Sequence, residues 1–112
     1  MLAADSDIRM VVMNMVQNAF HGLADGGRLV IETRSLAGEA QMIFEDSGVG
    51  IRPDDLHRVF DPFFSRRGDG VSGTGLGLPI CKSIVEHYAG RIEMNSRFGE
   101  GTRFTVVLPG VD

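Results

Sequence analysis

Several residue groups in this chain have the types and spacings that handle a charged, hydrogen-bonding ligand. Asn14 and Asn18 stand four residues apart with Gln17 beside them, so on a helix both amides project from one side, next to an apolar stripe. An asparagine carbonyl is a hard oxygen ligand suited to magnesium, and it adds no negative charge beside a polyphosphate. Alone, the pair also fits an ordinary polar boundary on an amphipathic helix. In Asp46-Ser47-Gly48-Val49-Gly50 an acid ends an apolar run, and two glycines permit close backbone approach to a ligand. Asp46 shares strand parity with Met42 and Phe44, so if those pack inward its carboxylate points inward too. A buried carboxylate needs a donor, and an adenine amino group would supply one where guanine presents an oxygen. The simpler reading of the same motif is a turn aspartate.

Gly73-Thr74-Gly75-Leu76-Gly77-Leu78 leads directly into a helical pattern. Glycine-exposed amides and the positive end of a helix form an anion site, with the Thr74 hydroxyl as a further donor. As an isolated motif it also fits a flexible linker. Gly68-Asp69-Gly70-Val71-Ser72-Gly73 has the G-x-G-x-x-G spacing of dinucleotide sites but follows no apolar strand, and a hairpin, not a parallel strand, comes after the next helix. No Walker A lysine motif is present.

These groups need elements to hold them. Ile8, Val11, Val12, Met15, Val16, Ala19 and Phe20 recur at helical spacing and predict a helix from Asp5 to about Leu23, released by Ala24-Asp25-Gly26-Gly27. Arg28 to Ser35 and Glu39 to Asp46 predict a hairpin across Leu36-Ala37-Gly38. Pro53, Asp54 and Asp55 suit the first turn of a short helix through Val59. Ser65 to Gly77 is rich in glycine, poor in apolar side chains, and reads as a lid. A helix from Leu78 to Ala89 is predicted to end at Gly90, and Arg91 to Phe98 with Thr102 to Leu108 predicts a second hairpin across Gly99-Glu100-Gly101. Helices on one face of a mainly antiparallel sheet give an α+β two-layer sandwich.

The 112 residues, 43% of them hydrophobic, suit one domain with one modest core. A formal net charge of -4 argues against general attraction to nucleic acid or anionic membranes. No apolar run approaches the roughly 20 residues of a membrane-spanning helix, and the N-terminus lacks a secretory pattern, so a cytoplasmic location is expected. The single cysteine, Cys81, lies among apolar helix residues and is expected to be buried and structural.

Taken in chain order, Asn14-Met15-Val16-Gln17-Asn18-Ala19, Asp46-Ser47-Gly48-Val49-Gly50, Phe60-Asp61-Pro62-Phe63-Phe64 and Gly73-Thr74-Gly75-Leu76-Gly77-Leu78 resemble the nucleotide-site boxes of sensor histidine kinases. The resemblance continues through Gly99-Glu100-Gly101-Thr102-Arg103-Phe104 to Leu108-Pro109, and so covers nearly the whole chain. It implies the Bergerat ATP-binding fold, with a mixed sheet covered by helices on one face. It further implies a cofactor pair of ATP and Mg2+. Asn18 would ligate the metal with Asn14 as its polar neighbour, both counted as catalytic, and Asp46 would accept from adenine. Gly48 and Gly50 would shape the base pocket; Gly73, Thr74, Gly75, Leu76 and Gly77 would border the phosphates. Thr102 matches the position that binds adenine through water, and Arg67 the place of a lid lysine, with Arg66 as its alternative.

Phe60, Phe63 and Phe64 are expected to anchor the lid or face a partner helix. His21 lies near where some relatives carry a phosphate-contacting lysine, while His57 and His87 are expected at the surface. None of the three histidines resembles the family's phosphorylation site. The resemblance therefore implies an acceptor histidine on a separate dimerisation domain, a response regulator beyond it, and no membrane contact by residues 1–112, although the parent protein could be membrane-anchored. The usual preceding strand and dimerising hairpin are not recognisable in this chain. Two other readings fit the same motifs: a nucleotide-binding regulatory module without phosphoryl transfer, and a Bergerat-fold ATPase.

Overall fold

Alternating apolar residues on the C-terminal strands face one way, and that face is where the helices pack. The computed structural model describes residues 5–22, 27–48, 50–61 and 77–109. Helix α1 spans Asp5–Gly22, strands β1 and β2 span Leu29–Leu36 and Glu39–Asp46, helix α2 spans Gly77–His87, and strands β3 and β4 span Arg91–Arg97 and Gly101–Pro109. The strands form one sheet in the order β1-β2-β4-β3, with every neighbouring pair antiparallel. The two hairpins are thus joined at their inner strands, β2 and β4.

Register decides what the helices meet. Phe44, Phe104 and Met94 lie side by side across β2, β4 and β3, and Met42, Val106 and Ile92 form the next row. Val11 and Met15 of α1 and Leu78, Cys81 and Val85 of α2 close over these rows, together with Ile51, Val59 and Leu108. On the opposite face Ile43 and Val107 are also buried, with Glu32, Gln41 and Arg91 among their cross-strand neighbours. The fold is the two-layer α+β sandwich expected from the pattern.

Local chemistry sets the element ends. Pro79 sits in the first turn of α2, where its missing N–H costs no helical bond. That helix closes with Gly90 N–H donating to the Val85 carbonyl at 2.9 Å and Ala89 N–H to the Glu86 carbonyl at 3.0 Å, the paired bonds of a Schellman motif. The left-handed residue is Ala89, at φ 62°, and not Gly90, the residue expected to end the helix. Gly90 is required for a different reason: a Cβ there would lie 2.2 Å from the Val107 carbonyl oxygen of β4.

The short helix expected through Val59 is only a 3-10 turn, Pro53–Asp55, followed by further turns. Bonds from Asp55 N–H to Arg52 O and from Arg58 N–H to Asp55 O keep a three-residue repeat. That repeat puts Leu56 and Val59 on one side, which an α-helix this short cannot do as directly. The β1–β2 loop holds Ala37 and Gly38 at φ 47° and 81°, as in the two-residue turns that match strand twist.

Cys81 is fully buried, and its thiol donates to the Val11 carbonyl at 3.6 Å, joining α2 to α1. Burial pushes its pKa up to about 12. The unfolded thiol ionises near its ordinary value of 9.0 while the folded one stays protonated, so stability falls as pH rises between those values. Urea midpoints measured from pH 8 to 11 should decline in the wild type and decline less in Cys81→Ala. In the same assay at pH 7, Ala89→Gly should stabilise the chain by about 0.5 to 1 kcal/mol, because glycine carries no Cβ penalty at that φ.

Candidate nucleotide-binding site

One end of the helix-facing sheet surface turns polar. Beyond the Phe44–Phe104–Met94 row, the next row across β2, β4 and β3 is Asp46, Thr102 and Ser96. Asp46 is 6% and Thr102 2% exposed, the two buried polar side chains among the described residues. The strand-parity expectation for Asp46 therefore holds. Its Oδ1 accepts the Gly48 N–H at 2.9 Å, which fixes the start of the glycine loop. Among the described residues Oδ2 has no hydrogen-bond donor, so one carboxylate oxygen remains to accept from a ligand.

Two glycines bring the loop and the β3–β4 hairpin into backbone contact. Gly50 has φ 75°, and a Cβ there would lie 2.3 Å from the Arg97 carbonyl oxygen. Gly101 has φ 128°, and its Cβ would lie 2.1 Å from the Asp46 carbonyl oxygen. Ile51 N–H donates to Ser96 Oγ at 2.8 Å, and Ser96 Oγ lies 3.1 Å from Thr102 Oγ1. At the other margin, Ser47 and Arg28 are tied twice, through Arg28 N–H to Ser47 Oγ at 2.8 Å and Ser47 N–H to the Arg28 carbonyl at 2.9 Å. Arg52 rests over the exposed Phe98 ring, 5.9 Å from its centroid, at the hairpin tip.

The asparagine pair lies on α1, which packs against α2 and β2. Both side chains are half-buried. Asn14 Nδ2 donates to the Met10 carbonyl at 2.9 Å, an ordinary helical back-bond that leaves Oδ1 turned toward the start of α2. A Cβ at Gly77 would lie 3.4 Å from that oxygen. Asn14 and Gly77, the last glycine of the Gly73–Gly77 run, are thus close in space. A groove of about 540 Å³ runs along α1, lined by residues including Arg9, Met10, Met13, Asn14 and Gln17.

Phe60 meets Phe104 edge to face, with centroids 6.3 Å apart, and Lys82 lies 5.5 Å over its ring. It packs against the core, while the lid it was expected to anchor lies outside the described residues. His57 and His87 are exposed. Arg66, Arg67, Gly73, Thr74, Gly75, Leu76, Phe63 and Phe64 lie outside the described residues, as does the His21 side chain. Sequence reasoning grouped Asp46, Gly48, Gly50 and Thr102 correctly in space but missed Ser96 and the Ile51 amide. The signal was available in the hairpin: closing it across residues 98–100 puts Ser96 opposite Thr102.

A four-stranded antiparallel sheet carrying two helices on one face, with this polar end, is the Bergerat-like architecture of histidine kinase catalytic domains. Residues 3–112 match the family described as histidine kinase-, DNA gyrase B-, and HSP90-like ATPase, and the chain belongs to it. It is 36% identical over 110 residues to the sensor histidine kinase ZraS of Salmonella typhi, covering 96% of this chain and 23% of that protein. Similarity to the sensor protein SrrB of Staphylococcus aureus is 38% over 102 residues, covering 88% of this chain and 18% of SrrB. Among solved structures, the mycobacterial sensor histidine kinase MprB superposes with a TM-score of 0.83 at 29% identity, covering 97% of this chain and 76% of that one. The chain therefore spans less than a quarter of the length of these curated relatives.

Proposed function

We propose that this domain binds Mg-ATP and donates the γ-phosphate to a histidine on a separate dimerisation domain, from which a response regulator is served. The observation that carries the base-binding part is the buried Asp46 carboxylate, with one oxygen committed to Gly48 and the other without a partner among the described residues. A carboxylate in that setting needs a donor, and the adenine amino group is one. Thr102, its cross-strand neighbour, stands where a second contact to the base would fall, direct or through water.

Magnesium fits the donor set on α1. Among the described residues no three or more His, Cys, Asp or Glu side chains converge as a metal cage. Magnesium instead suits one or two protein oxygens together with substrate phosphates, and it would neutralise charge developing between the phosphates. Asn18 is assigned as its protein ligand, with Asn14 as its polar neighbour facing the start of α2 at Gly77. Gly73, Thr74, Gly75 and Leu76 are assigned to the phosphates from the sequence, with Arg67 as a lid contact. Catalysis in this reading is positioning and charge stabilisation, while the acceptor imidazole supplies the nucleophile.

No helix among the described residues is long and apolar enough to cross a membrane. We assign the domain to the cytoplasmic side, where ATP and a response regulator are available. Calorimetry with ATP, ADP and GTP tests the pocket. Adenine nucleotides should bind preferentially, Asp46→Ala should weaken ATP at least about tenfold, and Asn18→Ala should abolish the magnesium dependence. Phosphohistidine should then form on an added histidine-containing domain. ATP binding without that transfer would leave a regulatory module, and steady phosphate release without an acceptor would indicate an ATPase.

A further inference from the structure

Ser96 stands at the end of the polar row, and its hydroxyl lies within hydrogen-bond distance of three groups. It accepts the Ile51 N–H at 2.8 Å. Its oxygen also lies 3.2 Å from the Gly101 carbonyl oxygen and 3.1 Å from Thr102 Oγ1. A hydroxyl has one proton, so Ser96 donates either to Gly101 or to Thr102. If the proton goes to Gly101, the Thr102 proton is drawn to Ser96, and Thr102 offers only lone pairs to a ligand. If it goes to Thr102, the Thr102 proton is released to donate. We infer that Ser96 is a positioning and specificity-determining residue, which sets the hydrogen-bond polarity of Thr102 beside Asp46 and locks the glycine loop through Ile51.

This inference rests on the nucleotide-binding reading above. Adenine presents a donor amine next to an acceptor ring nitrogen, so a matching surface offers an acceptor and then a donor. Asp46 is the acceptor. Thr102, in the state where Ser96 donates to it, is the donor. Hypoxanthine reverses both groups and meets mismatches at both positions. Without the Ser96 hydroxyl, Thr102 rotates freely and loses that discrimination. The Ile51 N–H, on a residue 2% exposed, loses its acceptor as well, which loosens the loop that begins at the Asp46–Gly48 bond.

Calorimetry on the intact chain with Mg-ATP and Mg-ITP tests this, using wild type, Ser96→Ala, Ser96→Thr, Thr102→Val and the Ser96→Ala/Thr102→Val double variant. Nucleotide-free thermal unfolding is recorded for each. Ser96→Ala should weaken ATP about five- to tenfold and ITP less, so that the ATP-to-ITP preference shrinks. Ser96→Thr, which keeps the hydroxyl, should restore the preference. The double variant should bind ATP within about twofold of Thr102→Val, because both changes break one linkage. A folded Ser96→Ala with wild-type ATP affinity and wild-type preference would overturn the inference, as would equal losses for both nucleotides with additive effects in the double variant. If Ser96→Ala does not fold, Ser96→Cys, similar in size but a weak hydrogen-bonder, is judged by the same criteria. A wild type that binds neither nucleotide would overturn the nucleotide-binding reading itself, and this inference with it.

Discussion

The register between β2 and β4 is the constraint on which the rest of the site depends. It sets Asp46 opposite Thr102 and Phe44 opposite Phe104, so a single alignment builds both the core rows and the polar row that ends them. A one-residue slip of β2 against β4 would turn Phe44 outward and Asp46 with it. The apolar rows therefore hold the polar row in place. Burying a carboxylate is unfavourable unless its oxygens find donors, and the fold supplies one at Gly48 while leaving the other side for a ligand. A binding site made this way is stabilised by the core beneath it and completed by what it binds.

Backbone proximity is the second determinant. At Gly50 and Gly101 any side chain would drive into a carbonyl oxygen of the facing segment, so the loop after β2 and the turn before β4 close on each other only as glycine. That closure brings the Ile51 amide to Ser96 and fixes the loop on both sides, at Asp46 and at β3. On the helix side, the Asn14 side chain faces the start of α2 at Gly77, which sets the two segments assigned to metal and phosphate side by side. In the proposed function, base and phosphate recognition draw on different elements, joined through the packing of α1 against β2 and α2.

Much of this was legible in the sequence because it depends on periodicity. The parity of Met42, Phe44 and Asp46 placed the carboxylate inward, and the spacing of Val11, Met15, Cys81 and Val85 placed the helix stripes. What escaped depends on contacts between segments distant in sequence. Gly90 was expected to end α2, whereas the left-handed residue is Ala89, and glycine is needed at 90 because a Cβ there would strike β4 at Val107. The turns after Pro53 shortened from a helix because Leu56 and Val59 reach the core on a three-residue repeat. Ser96 carried no motif of its own, and its importance comes from the hydrogen bonds to Ile51 and Thr102.

The central claim is that the acceptor character of the Asp46 side chain chooses the base. Replacing it with asparagine keeps size and shape while adding two donors, so Asp46→Asn can meet the guanine oxygen that the carboxylate repels. Binding of Mg-ATP and Mg-GTP to the wild type and to Asp46→Asn is therefore the most direct measurement. The preference for ATP should collapse at least about tenfold in the variant, with GTP binding strengthened in absolute terms. An unchanged ATP-to-GTP ratio in a folded Asp46→Asn would mean that the base is read elsewhere and would contradict the account.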